Sequence, residues 1–182
     1  MKTCLIVIDV QESFRHREYF SEADLPAFLK AQNQLIHGAK AKGWPIIRIF
    51  HSDGLNQASN PWALASGLVV PLKGLAEFEA AQTFTKSKHS ALVGTGLETW
   101  LRQQGIEKIV ISGIRTEQCC ETTTRHASDL GWEVDYVMDA TLTFNMSLPD
   151  GKPFLSADIK ARTASVLKDR FARICSVEQA LA

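Results

Sequence analysis

Cys4-Leu5-Ile6-Val7-Ile8-Asp9-Val10 is apolar without alternation until a carboxylate interrupts it at Asp9. A half-buried strand alternates apolar and polar residues, whereas a strand covered on both faces of a parallel sheet is apolar throughout. The run therefore predicts a central parallel strand with Asp9 at its carboxyl end. Downstream, Pro26 opens a segment in which Phe28, Leu35, Ile36 and Ala39 recur at helical spacing, and Gly43 and Pro45 close it. Residues 46–50 read as a second strand, followed by a loop over residues 51–67 rich in Ser, Asn and Gly. Residues 68–72 fit a short strand or a packed loop, and 76–81 a turn of helix.

From Thr83 the alternation is regular. Residues 83–86 suit a short strand, 97–101 a helix stopped by Gly105, and 108–112 a buried strand ended by Gly113. Residues 118–130 suit a helix stopped by Gly131, 134–138 a strand, 156–170 a last helix, and 173–177 a strand closing the sheet. Repeated strand–helix alternation predicts an α/β fold with a parallel sheet between helical layers and right-handed crossovers. No repeat or linker divides the chain, so one domain is expected over residues 1–182.

The composition, 45% hydrophobic and 22% charged, is that of a globular domain, and Lys+Arg 20 against Asp+Glu 20 leaves no net charge. A phosphate-tracking nucleic-acid binder is not expected, nor a membrane partner, since the apolar runs are strand-sized rather than the roughly 20 residues of a membrane helix. No secretory leader is evident, and a cytoplasmic location is expected. Four cysteines without C-x-x-C spacing predict free thiols, and the five histidines form no H-E-x-x-H motif.

In parallel sheets ligands bind beyond the carboxyl ends of the strands. Asp9, Lys86 and Cys119 occupy such positions. Gly113-Ile114-Arg115-Thr116-Glu117-Gln118-Cys119 leaves a buried strand and enters a helix, which sets the thiol near amide donors. With a lysine nearby, a lowered pKa and a nucleophilic thiolate are expected there. The same amides suit an oxyanion. A free cysteine is also a common buried apolar residue, so a packing role for Cys119 is the competing reading. Asp9 reads as a base for that thiol or as half of a structural ion pair. Its cation is Lys86 or Lys88, between which the spacing does not choose. Phe14, His51 and Trp62 are candidate pocket residues; Arg125 and His126, on the helix after Cys119, suit solvent or a subunit contact.

Three segments in order, Leu5 to Phe14 carrying Asp9, Thr85-Lys86-Ser87-Lys88-His89-Ser90-Ala91-Leu92, and Gly113 to Cys119, resemble the isochorismatase-like cysteine hydrolases, which include nicotinamidases. The resemblance runs from about residue 3 to residue 144. It implies a three-layer αβα sandwich with a mostly parallel, Rossmann-like six-stranded sheet, commonly in homo-oligomers, dimers or larger. It also implies Asp9 as general base, Lys86 rather than Lys88 as the linking cation, and Cys119 as nucleophile. A non-proline cis peptide at Ile114-Arg115 follows from it, with the backbone amides of Arg115 and Cys119 as oxyanion hole. Metal-dependent nicotinamidases carry Asp-x-His plus a further His; here His51-Ser52-Asp53 has the reverse order, so no metal and no cofactor are expected. The implied activity is hydrolysis of a small amide or related C–N bond through a Cys119 thioester. Two other functions stand beside it: a non-catalytic small-molecule-binding or redox-responsive protein using vicinal Cys119 and Cys120, and a vinyl ether hydrolase of the isochorismate type.

Overall fold

A computed structural model describes residues 1–55 and 57–182. Strand β1 (Thr3–Ile8), helix α1 (Leu25–Ala41), β2 (Ile46–His51), β3 (Gln82–Lys86), α2 (Leu97–Gln103) and β4 (Lys108–Ile114) build the first half. Then come α3 (Glu121–Asp129), β5 (Glu133–Leu142), a two-stranded hairpin β6 (Met146–Ser147) and β7 (Pro153–Phe154), α4 (Ser156–Leu167), β8 (Arg173–Cys175) and α5 (Val177–Leu181). Six strands form one sheet in the order β3-β2-β1-β4-β5-β8, every pair parallel.

The uniform apolarity of β1 has the expected cause. Its side chains alternate between two cores: Leu5 and Val7 join Phe28, Leu35, Ile36 and Ala39 of α1 and Val177 and Ala180 of α5. Cys4, Ile6 and Ile8 point the other way, toward Leu97 and Leu101 of α2, Ala127 of α3 and Leu167 of α4. Each such buried aliphatic side chain contributes about 1.5–3 kcal/mol. Among the described residues no helix is long and apolar enough to cross a membrane.

Several boundaries differ from those expected. β4 continues through Gly113 to Ile114, because Gly113 takes φ 129° and lies flat against β1 opposite Ile8. The helix expected from residue 118 begins at Glu121 and is preceded by a single wide turn of π type, Thr116–Cys120. Residues 68–72 are packed loop, one of the two readings their sequence allowed, and 76–81 are loop rather than a turn of helix, with Leu72 and Phe78 buried in the α1-side core. α4 ends at Leu167, and β8, although short, does close the sheet beside β5.

Strand order reverses between β1 and β4: the chain proceeds from β1 outward to β2 and β3, then returns to β4 on the other side. The crevice at such a switch point is where an open parallel sheet binds ligands. Gly113 lets the two strands meet there. A Cβ on it would collide with the carbonyl oxygen of Ile8 and lie 2.7 Å from its nitrogen. Gly113→Ala is expected to cost about 3 kcal/mol or more, read as a lowered denaturant midpoint; a midpoint equal to wild type would contradict this close approach.

Candidate active site

Asp9 follows β1 in the left-handed region, at φ 52°, a conformation that Asp tolerates better than most residues. Its amide still donates to the Ile49 carbonyl at 2.9 Å, so the residue is held at the sheet edge while its side chain leaves the strand direction. Lys86 ends β3 and pairs in register with His51 at the end of β2. Gln11 locks β2 to the segment after β1: its side-chain carbonyl accepts from the His51 amide at 2.8 Å and its NH2 donates to the His51 carbonyl at 3.1 Å. Three strand ends are thereby fixed relative to one another by strand pairing and by the Gln11 side chain.

Cys119 comes from the wide turn after β4. That turn is pinned by the Tyr136 hydroxyl, which donates to the Thr116 carbonyl at 2.7 Å, and by the Thr116–Thr141 hydroxyl contact at 2.9 Å. The Ile114–Arg115 peptide just before it is cis.

These elements converge on the Lys86 ammonium. Its side chain is 0% exposed, and Nζ lies 2.7 Å from Asp9 Oδ2, 3.0 Å from His51 Nδ1 and 3.3 Å from Cys119 Sγ. An ammonium has three N–H groups and no lone pair, so three acceptors match it. The ammonium approaches Asp9 off the direction of an aligned hydrogen bond, and among the described residues both carboxylate oxygens lack an aligned donor. The charge is compensated while the oxygens remain able to take a proton.

The contact with His51 fixes its tautomer. Facing a group that only donates, Nδ1 must be the acceptor, and Nε2–H is directed to Asp53 Oδ1 at 3.2 Å. Burial and the adjacent ammonium lower the His51 pKa, which keeps the ring neutral. Burial pushes the Asp9 carboxyl above its ordinary 3.8, with Lys86 pulling it partly back. Burial opposes the charge on Lys86 as well, but Asp9 and Cys119 outweigh it and hold the ammonium above the usual lysine value.

Cys119 departs from expectation. Rather than being lowered, its pKa is pushed up to about 12, first by burial and then by the Asp9 charge, which together exceed the help from Lys86. The residue is 8% exposed, so little water is available to solvate a thiolate. The resting group is a thiol that needs a base. Cys120 is 0% exposed with a pKa raised well above 9.0 by burial, unlike the accessible, acidic thiol of a redox sensor.

A cavity of about 220 Å³ opens over the thiol. Phe14, His51 and Trp62 line it as expected from sequence, Phe14 meeting Trp62 edge-on at 4.7 Å and His51 meeting Trp62 at 5.5 Å. Arg115, Arg17, Tyr19, Asp53, His89 and Gln118 line it too and were not singled out as pocket residues. Their signal was position: several lie in segments leaving the carboxyl ends of β1, β2 and β3. Lys88 is exposed beyond the end of β3 and takes no part. Arg125 pairs with Glu121 at 3.0 Å and His126 contacts Ser90 at 2.9 Å, and neither lines the cavity.

Asp9, His51 and Cys119 offer ligand atoms all within 4.8 Å of one another, a set of the kind that holds a metal. Lys86 Nζ stands within 3.3 Å of all three, so a divalent cation and the ammonium would compete for the same acceptors. The donor set does not suit a metal while Lys86 is charged.

The family model of the isochorismatase domain matches residues 3–179. Over 182 residues the chain is 28% identical to the uncharacterized isochorismatase family protein YrdC of Bacillus subtilis, covering 98% of this chain and 94% of that one. A 63-residue stretch is 40% identical to Nicotinamidase 3 of Arabidopsis thaliana, covering 35% of this chain and 32% of that protein. The crystal structure of an isochorismatase-family protein from Chromobacterium violaceum superposes with a TM-score of 0.89 at 24% identity, over 99% of this chain and 92% of that one.

Removing the ammonium tests the electrostatics. Lys86→Met leaves Asp9 buried beside a neutral group and should destabilise the protein by about 3–5 kcal/mol at neutral pH. Because the folded Asp9 pKa would rise further above the unfolded value, that loss is small below the unfolded pKa and grows as pH rises through the folded one. Chemical denaturation of the variant at acid and neutral pH should show this trend; a pH-independent loss would contradict it.

Proposed function

Since the chain belongs to the isochorismatase family of hydrolases, we propose that it is a metal-independent cysteine hydrolase of a small amide or related C–N bond. The observation that carries this reading is the Lys86 ammonium held within 3.3 Å of a carboxylate and a thiol at the floor of one cavity. A purely structural ion pair requires no sulfur at that distance and no cavity above it.

As Cys119 Sγ adds to the carbonyl carbon, Asp9 takes the thiol proton and the carbonyl electrons move onto oxygen. The backbone amides of Arg115 and Cys119 receive this oxyanion. Collapse re-forms the C=O bond and breaks the C–N bond, while Asp9 returns its proton to the leaving nitrogen, giving an amine or ammonia and a Cys119 thioester. In the second half Asp9 takes a proton from water as its oxygen adds to the thioester carbon. Expulsion of sulfur, reprotonated by Asp9, releases the acid. Lys86 stabilises negative charge on carboxylate or sulfur, whichever carries it, and does not itself transfer a proton. The raised carboxyl pKa of Asp9 suits this traffic, because a base whose pKa lies nearer the operating pH both accepts and returns protons readily. A cavity of about 220 Å³ lies below the roughly 300–1,000 Å³ of drug-sized sites, which restricts the substrate to metabolite size. The stretch shared with a protein named a nicotinamidase supports the amide class.

A panel of small amides and ureido compounds assayed for ammonia release tests the reading. Wild-type turnover should fall by roughly 10³-fold or more in Cys119→Ala. The acid limb of kcat/KM should lie above 3.8, set by protonation of Asp9, and Asp9→Asn should be severely impaired. Turnover that survives in Cys119→Ala would overturn the proposal.

A further inference from the structure

The His51 ring is held by more than its place in the cavity wall. Its backbone N–H and carbonyl are both gripped by the Gln11 side chain, which is itself fully buried. Trp62 meets the ring edge-on at 5.5 Å. Nε2 faces Asp53 Oδ1 at 3.2 Å, and Asp53 is placed in turn by Asn60, whose side-chain NH2 donates to Oδ2 at 3.2 Å. The Asp53 amide also donates to the Trp62 carbonyl at 3.0 Å. Nδ1 is thereby turned to the Lys86 ammonium, 3.0 Å away.

A buried ammonium rotates about its Cε–Nζ bond until its N–H groups find acceptors, so the acceptors decide which way each N–H points. Of the three neighbours of Lys86, the thiol sulfur is the weakest acceptor and the most distant, at 3.3 Å against 2.7 Å for the carboxylate and 3.0 Å for the imidazole. The sulfur contact is therefore the first to be given up when an N–H loses its partner. Without an acceptor at position 51, the ammonium turns toward Asp9 and Cys119 loses the N–H directed at it. A protonated ring has the same effect, because it sets a donor against a donor.

We infer that His51 is a positioning residue: with Asp53 behind it, its Nδ1 fixes the rotation of the Lys86 ammonium and so keeps one N–H on the Cys119 sulfur. The effect on rate rests on the hydrolase reading, whereas the tautomer and the orientation of the ammonium do not. The charged and titratable groups facing the ring are Lys86 from β3, Asp9 after β1, Cys119 from the turn after β4 and Asp53 beyond β2. Arg17, Arg115 and His89 share the cavity. Among the described residues, Nδ1 has no hydrogen-bond partner other than Lys86.

Two substitutions separate an acceptor from a wall. His51→Asn places an amide oxygen as many bonds from the backbone as Nδ1 and cannot gain a proton; His51→Phe keeps a flat ring beside Trp62 and has no acceptor. Both are checked for folding by circular dichroism and assayed for ammonia release from small amides and for alkylation of Cys119 by iodoacetamide. In His51→Phe kcat should fall by roughly 10²-fold with KM little changed, and His51→Asn should recover about tenfold of that loss. Alkylation rates should follow the same order. On the acid side, log kcat/KM of the wild type should approach a slope of about two, since a proton on either Asp9 or His51 disables the site, and His51→Asn should show a slope of about one. Nitrogen-15 resonances of the wild-type ring should report a bare Nδ1 and a protonated Nε2. Equal kcat losses in the two variants, or a change confined to KM, would make the ring a substrate contact and overturn the positioning role while leaving the hydrolase standing. A protonated Nδ1, or alkylation indifferent to both substitutions, would overturn it as well. Alkylation that slows in His51→Phe and recovers in His51→Asn, without ammonia release from any compound by the wild type, would support the positioning and remove the hydrolase.

Discussion

One buried positive charge organises this site. Removing an ammonium from water costs several kcal/mol, and that cost is tolerated only where partners surround the ion. Lys86 has three: a carboxylate from the end of β1, an imidazole from the end of β2 and a thiol from the turn after β4. Each is held at its distance by backbone structure rather than by the ion alone. Gln11 ties β1 to β2, β2 pairs with β3 in register, and Gly113 allows β4 to lie against β1. The sheet order therefore sets the chemistry, because placing β1 beside β4 at the switch point brings together residues far apart in the chain.

The same crowding explains why the thiol is protonated at rest. Burial and the Asp9 charge outweigh the benefit of the ammonium, so the Cys119 thiol keeps its proton. His51 belongs to this arrangement, since its Nδ1 faces the Lys86 ammonium as an acceptor at 3.0 Å.

Much of the fold was legible because two-sided burial writes itself into β1 and the first half of β4 as apolar runs, and because glycine and proline punctuate the helices. Asp9, Lys86 and Cys119 were legible as polar residues at strand ends. Spacing alone left Lys86 and Lys88 open and the family resemblance chose Lys86; in the structure β3 ends at Lys86, whose side chain is buried, while Lys88 lies exposed beyond it. The direction of the Cys119 pKa was also hidden: an amide-rich turn predicts a lowered value, and the burial of the thiol and the nearness of Asp9 reverse it. The wide turn over Thr116–Cys120 replaced the expected helix start because Tyr136 and Thr141, from another strand, compete for its groups. Arg17 had no signal in sequence, because the aromatic contact it makes with Tyr19 follows no spacing.

The most direct test of the central claim is intact-mass analysis during incubation with a carbonyl electrophile, following adduct formation at Cys119 in the wild type and in Asp9→Asn. The account predicts a single adduct on Cys119 that forms rapidly only when the Asp9 carboxylate is present. Equal rates in the two proteins, or an adduct that forms on Cys120 instead, would contradict it.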